Sequence, residues 1–217
     1  TETPIPSERL LLPDLAALPP QTAYIQFEGS QKYLRFETSF ANVGKGTLHI
    51  VGERDPERDV VRAIQTIVTV GGEERTEEIG QFVFHPEHTH WHLEESARYE
   101  LWSYPEEGER ELLMSGEKVS FCMFDSIPYD LTLPNTPQQK QFEGCDHDVQ
   151  GVSVGWVDVY PADLPDQAFD MTRYPNGRYQ LAITVNPANH IVESNLDNND
   201  AAAVLQISAS GVQILEV

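Results

Sequence analysis

The chain breaks into short runs of β-branched and aromatic residues divided by turn formers, and no useful window repeats Leu and Ala at helical spacing. Missing a 3.6-residue period, it has few folds open to it. Residues 23–28 (AYIQFE), 33–40 (YLRFETSF), 48–51 and 60–70 read as strands, as do 97–102, 118–124, 152–159, 179–185, 202–207 and 212–217. Many short strands with turn-rich joints predict an all-β fold, an antiparallel β-sandwich with long loops and little helix. Residues 128–144 (PYDLTLPNTPQQKQFEG) form the longest loop candidate. No repeat, low-complexity tract or dividing linker stands out, so one domain over 1–217 is expected.

Residues 85–92 read HPEHTHWH and hold four of the seven histidines in the chain. His88, His90 and His92 alternate, so in an extended segment their side chains leave the same face. Three neutral nitrogen donors suit copper, zinc, nickel or iron better than calcium or magnesium. Three protein ligands also leave a coordination position open for chemistry. His85 is out of phase, beyond Pro86, and is not counted as a ligand. Trp91 is expected on the opposite face, anchoring the strand. Spacing alone leaves zinc hydrolase, cupin-like oxygenase, copper oxidase and metal-binding module all standing.

Acidic residues number 35 against 14 basic ones, a formal net charge of -21. That balance opposes a nucleic-acid partner or an anionic membrane. A high-salt habitat explains the excess of acid; so does attraction of a cationic substrate. No run of 18 apolar residues predicts a membrane-spanning helix, so no membrane insertion is expected. The opening TETPIPSERL lacks the pattern of a signal peptide and is compatible with a processed N-terminus. Cys122 and Cys145 fit either one disulfide of an exported protein or two buried thiols.

Several segments, taken in order, resemble the catalytic domain of the lysyl oxidase family, as in a small prokaryotic relative. His85–His92 followed by RYEL at 98–101 is similar to the family's copper-binding stretch and its H-Y-D-L segment. GEKVSFCMFDS at 116–126 resembles G-H-K-A-S-F-C-L-E-D, and QGVSVGWVDVY at 150–160 resembles Q-G-x-x-x-G-C-x-D-x-Y. ITVNPANHIVESNLDNN at 183–199 is similar to V-N-P…E-S-D-Y-x-N-N, and LPDL at 12–15 to the opening P-D-L.

The resemblance implies specific roles. Copper falls on His88, His90 and His92. Lys118 and Tyr160 are the precursors of lysine tyrosylquinone, formed when copper and oxygen oxidise the phenol ring and the lysine amine adds to it. A quinone carbonyl condenses with a primary amine, so the implied reaction is oxidative deamination to aldehyde, ammonia and hydrogen peroxide. The substrate is a cationic primary amine or a lysine-containing peptide. Calcium, bound by Asp14, the Leu15 carbonyl, Glu193, Asn198 and Asn199, would tie the start of the domain to its end. The other family cysteines are missing here, which leaves Cys122 and Cys145 to pair with each other and clip the 128–144 loop. A secreted or extracytoplasmic location follows from the family.

Two features depart from the pattern. Arg98 replaces a histidine treated in the family as a candidate base, and a guanidinium stays protonated; Glu94 and Asp158 are substitutes. The spacing from Lys118 to Tyr160 is longer than expected for the animal enzymes, with the extra length in the 128–144 loop. The alternative function is a non-catalytic copper-binding or zinc-filled β-sandwich protein without a mature quinone.

Overall fold

The structure, a computed structural model, describes residues 9–87, 89–165 and 167–216, with the side chains of Glu117, Lys118 and Glu216 set aside. Its strands in chain order are β1 (Leu10–Leu11), β2 (Leu15–Leu18), β3 (Ala23–Glu28), β4 (Gln31–Phe36), β5 (Thr38–Asn42) and β6 (Leu48–Asp55). Next come β7 (Val60–Thr69), β8 (Glu74–His85), β9 (His90–Ser103), β10 (Leu112–Phe121), β11 (Ile127–Pro128) and β12 (Val149–Val152). The chain closes with β13 (Trp156–Tyr160), β14 (Ala168–Asp170), β15 (Gly177–Val185), β16 (Asp200–Ser208) and β17 (Gly211–Glu216). No α-helix occurs among the described residues. The fold is all-β, as the spacing of the runs predicts.

Every strand pairing is antiparallel. The largest sheet runs β12-β6-β7-β8-β9-β15-β16-β17, with β1 joined to β7 and β10 to β9. Two smaller sheets run β11-β13-β5-β2 and β14-β4-β3. One hydrophobic cluster draws Leu34 and Phe36 from β4, Phe40 from β5, Trp156 and Tyr160 from β13, and Leu93, Tyr99 and Leu101 from β9. All three sheets therefore share a core, which is what a half-apolar strand needs to be stable.

Some boundaries differ from the sequence reading, for physical reasons. The expected strand over 33–40 is two strands in different sheets, because the chain changes sheet at Glu37, whose N–H bonds to the Thr22 carbonyl at 2.9 Å. The run 152–159 divides into β12 and β13 at Gly155, which adopts φ +76°. A Cβ there would lie 2.4 Å from the Asp130 carbonyl oxygen, so only glycine fits the turn. β8 had no counterpart in the sequence reading. Its charged ERTEE start faces solvent and hides the alternation.

The 128–144 loop is firmly held. The buried Asp125 carboxylate accepts from the N–H groups of Gln141 (2.8 Å) and Ser153 (2.8 Å) and from the Ser153 hydroxyl (2.8 Å). Trp156 Nε1 donates to the Pro137 carbonyl at 3.1 Å, and Phe142 is buried. Cys122 and Cys145 form a disulfide, with Cα atoms 5.3 Å apart, that closes the base of the loop.

Candidate active site

β8 and β9 form a hairpin in which His85 stands opposite His90 and Val83 opposite His92. Residues 86, 87 and 89 are turn, and the Thr89 N–H returns to the His85 carbonyl at 2.8 Å. The extended part of the histidine stretch thus begins at His90, and the alternation holds for His90 and His92. His88 lies outside the described residues.

The imidazoles converge. His90 and His92 have ring centroids 4.7 Å apart, and His85 stacks on His92 at 4.3 Å. His85 is out of phase with the other three along the chain, but the hairpin brings it across the strand pair, opposite His90. The signal was the Pro-containing tetrapeptide after it, which reads as a hairpin loop. Trp91 leaves the opposite face, half-buried, edge-on to Phe84 and against His147. Its N–H donates to the Cys145 carbonyl at 3.0 Å, which ties the histidine strand to the disulfide.

Ser120 on β10 sits between two of the rings, its Oγ 3.0 Å from His92 Nδ1 and 3.1 Å from His85 Nε2. One hydroxyl proton can serve only one of these nitrogens. If His92 Nε2 binds a metal, its Nδ1 carries the proton and donates to Ser120. Ser120 can then donate to His85 Nε2 or accept from it, according to the His85 tautomer. The contact with His92 is of the kind that fixes the tautomer and ring orientation of a metal-ligating histidine. The donor set is nitrogen-rich, so it fits copper or zinc and not a hard cation.

Tyr160 ends β13, 7% exposed, with its ring stacked on Phe121 at 3.9 Å and its hydroxyl donating to the Cys122 carbonyl. Burial first, and then the neighbouring Asp158 and Tyr99, push its phenol well above the ordinary value. Asp158, two residues back on the same strand, is 0% exposed, and burial holds its carboxyl well above the usual range. Its Oδ1 accepts from the Ser126 hydroxyl at 3.3 Å. Lys118 lies on β10 in the irregular stretch between Gly116 and Val119, and its side chain lies outside what is described.

One cavity of about 800 Å³ joins these parts. His85, His90 and His92 line it, with Ser120, Phe121, Tyr160 and the disulfide. Tyr99 lines it as well, although residues seven apart on a regular strand face opposite ways. Glu95, at φ +54°, interrupts the strand between them, and three residues of β9 (94–96) stand opposite one of β10 (Ser120) between the pairs Leu93–Phe121 and Ala97–Val119. The Tyr99 hydroxyl accepts from Gln167 Nε2 at 2.7 Å. Arg98 is not among the cavity residues; its Nε pairs with Glu100 at 3.6 Å, and its Nη2 donates to Thr184 at 3.4 Å. Glu94 does not line the cavity either and accepts from Gln81 at 2.6 Å.

A second cluster joins the start of the described chain to its end. Asn198 donates to Asp14 (2.7 Å), Asn199 to Glu193 (2.8 Å), and the Leu15 N–H to Glu193 (2.8 Å). The side-chain oxygens of Asn198 and Asn199 are buried without a hydrogen-bond partner among the described residues. Burial raises the Glu193 carboxyl above its ordinary value, partly offset by its donors. Two carboxylates with two orphaned amide oxygens make an oxygen donor set that fits calcium.

Residues 52–216 match the lysyl oxidase family. Over 119 residues, 54% of this chain, the sequence is 34% identical to lysyl oxidase homolog 2 of Gallus gallus, covering 14% of that protein. It is 31% identical over 121 residues to lysyl oxidase homolog 4 of Mus musculus, covering 14% of it. It is also 32% identical over 117 residues to protein-lysine 6-oxidase of Sus scrofa, of which the match covers 43%. The matched segment is thus less than half the length of each of these relatives. The chain belongs to the lysyl oxidase family.

Proposed function

We propose that this lysyl oxidase family member is, over 1–217, one catalytic domain that oxidises primary amines to aldehydes, releasing ammonia and hydrogen peroxide, with copper and lysine tyrosylquinone as cofactors. The observation that carries this reading is the single cavity lined by His90, His92 and Tyr160, whose wall includes β10, the strand bearing Lys118. Copper would be held by His88, His90 and His92, and the quinone would form from Lys118 and Tyr160.

With dioxygen, copper supplies the electron-accepting chemistry that converts a phenol toward a quinone. The chain's own groups prepare that event. Stacking on Phe121 fixes the plane of the Tyr160 ring, and the Cys122 carbonyl holds its phenolic proton. Ser120 orients His92. Asp158, beside the phenol, has its carboxyl pushed well above the usual range by burial, and it can take up a proton only from its ionised form. Calcium held by Asp14, the Leu15 carbonyl, Glu193, Asn198 and Asn199 would clamp the two ends of the described chain.

The substrate is a cationic primary amine or a lysine-containing peptide, drawn in by a chain of formal charge -21. The Cys122–Cys145 disulfide supports a secreted or extracytoplasmic location. A Tyr160→Phe variant tests the enzyme reading: it should retain copper and make no peroxide from amines. His90→Ala should lose both. Unchanged peroxide production by Tyr160→Phe would remove the quinone from the account.

A further inference from the structure

Both peptide groups between His90 and His92 are held by residues from outside the hairpin. The Trp91 N–H donates to the Cys145 carbonyl at 3.0 Å, and the Trp91 carbonyl accepts from Gln150 Nε2 at 2.8 Å. These two bonds fix the backbone on which both imidazoles are mounted. Gln150, on β12, is 0% exposed, and its other bonds run to the two cysteine segments. Its Nε2 also donates to the carbonyl of Asp146, which follows Cys145, at 3.1 Å, and its Oε1 accepts from the N–H of Met123, which follows Cys122, at 3.0 Å. The Cys122 carbonyl, in turn, accepts from the Tyr160 hydroxyl. One half of the disulfide therefore holds the histidine strand and the other half holds the phenol, with Gln150 tying the two halves together crosswise. The histidine strand β9 and the tyrosine strand β13 belong to different sheets, so no ladder sets their separation. Phe121 gives a second link, paired with Leu93 and stacked on Tyr160. A ring contact lets its faces slide, whereas a hydrogen bond is directional.

We propose that Cys122, Cys145 and Gln150 are positioning residues for quinone formation: together they brace the histidine strand at a set distance from Tyr160 and fix the backbone of the copper site. The inference rests on the proposed quinone chemistry and adds what sets its geometry. Removing the Gln150 amide leaves the Trp91 and Asp146 carbonyls and the Met123 N–H without their buried partner, so the strain falls on the brace itself. Opening the disulfide disconnects its two halves. Reactions between groups held in place are sensitive to such changes, and a misplacement of about 1 Å can cost about 100-fold in rate. Metal binding asks for less. His90 and His92 move together on one strand, and Ser120 still contacts His92. Loss of the brace thus separates two events: copper still binds, and the tyrosine matures slowly.

The test compares wild type with Gln150→Met, which keeps the length of the side chain without its hydrogen bonds, and with Cys122→Ser/Cys145→Ser. Leu205→Ala, in the core on β16, lowers stability without touching the brace and serves as the control. All are studied at a temperature where circular dichroism shows them folded. Copper is added first without oxygen, and affinity is read by chelator competition and site geometry by electron paramagnetic resonance. Air is then admitted, and the quinone is followed with phenylhydrazine. Both brace variants should bind copper within about tenfold of wild type, give a shifted or broadened copper spectrum, and form quinone about 100-fold more slowly. Leu205→Ala should match wild type in spectrum and rate. A wild-type spectrum and rate in either brace variant, or an equal slowing in Leu205→Ala, would overturn the inference. Absence of quinone in wild type would refute the quinone reading, and the copper spectra alone would then decide the brace: altered in both brace variants and not in Leu205→Ala upholds it, and any other pattern overturns it.

Discussion

Replacing Asp158 with Asn isolates the effect of one buried carboxyl. Asp158 is 0% exposed; its Oδ1 accepts from Ser126 at 3.3 Å, and its Oδ2 has no hydrogen-bond partner among the described residues. Burial dominates and drives the folded-state pKa well above the ordinary 3.8, with Asp125 adding to the rise. Between 3.8 and that folded value the unfolded chain has released a proton that the folded protein keeps. The stabilising contribution is therefore complete below 3.8 and is lost as pH rises through the folded pKa. The slope is about 1.4 kcal/mol per pH unit within that window. Asn has nearly the same shape and no titration, so Asp158→Asn removes this slope and leaves the rest of the pH dependence in place. Urea unfolding of the copper-free wild type and variant from pH 4 to 8 should show a stability difference that shifts in the variant's favour as pH rises, by at most that slope, then levels off. A difference that stays constant with pH, or a wild type that gains on the variant as pH rises, would mean that the carboxylate is ionised and well partnered, and the argument from burial would fail.

Three further outcomes follow from the geometry. Ser120→Ala leaves His92 without its hydroxyl contact and should weaken copper binding by about 10–100-fold, read by competition with a chelator; unchanged affinity would mean that the contact does not orient the ligand. The double variant Cys122→Ser/Cys145→Ser opens a loop with a sequence separation of 23 residues and should lose about 3 kcal/mol. Its melting temperature should fall by roughly 6–12 °C, and no change would mean that Asp125 and Trp156 hold the loop unaided. Calcium at about 100 times its dissociation constant should stabilise the metal-free protein by about 2.7 kcal/mol, an effect that Glu193→Gln should largely remove.

The all-β class and most strands were legible because β-branched runs ended at turn residues, and residues 23–28 match β3 at both ends. β8 is not legible because its first half is charged and largely exposed on both faces, so no apolar–polar alternation marks it. Missing β8 concealed the hairpin, and with it the position of His85 opposite His90. The pairing of Tyr160 with Phe121 and of Ser120 with two histidines joins residues far apart in the chain, and strand periodicity carries no information about such contacts. Tyr99 shares the cavity with His92 through a bulge at Glu95 that no hydrophobic pattern announces. Arg98, which stands where the family pattern has a histidine, pairs with Glu100 and is not among the cavity residues. Its guanidinium therefore does not take the place of the family's histidine.

The most direct test of the central claim is intact mass and peptide mapping of the apo-protein before and after copper loading in air. The account predicts a covalent peptide joining the Lys118 and Tyr160 segments at the mass of a quinone, formed only with copper and absent from Tyr160→Phe. Copper bound stoichiometrically with both residues recovered unmodified would contradict it, and would leave a metal-binding member of the family that keeps the precursor residues without the chemistry.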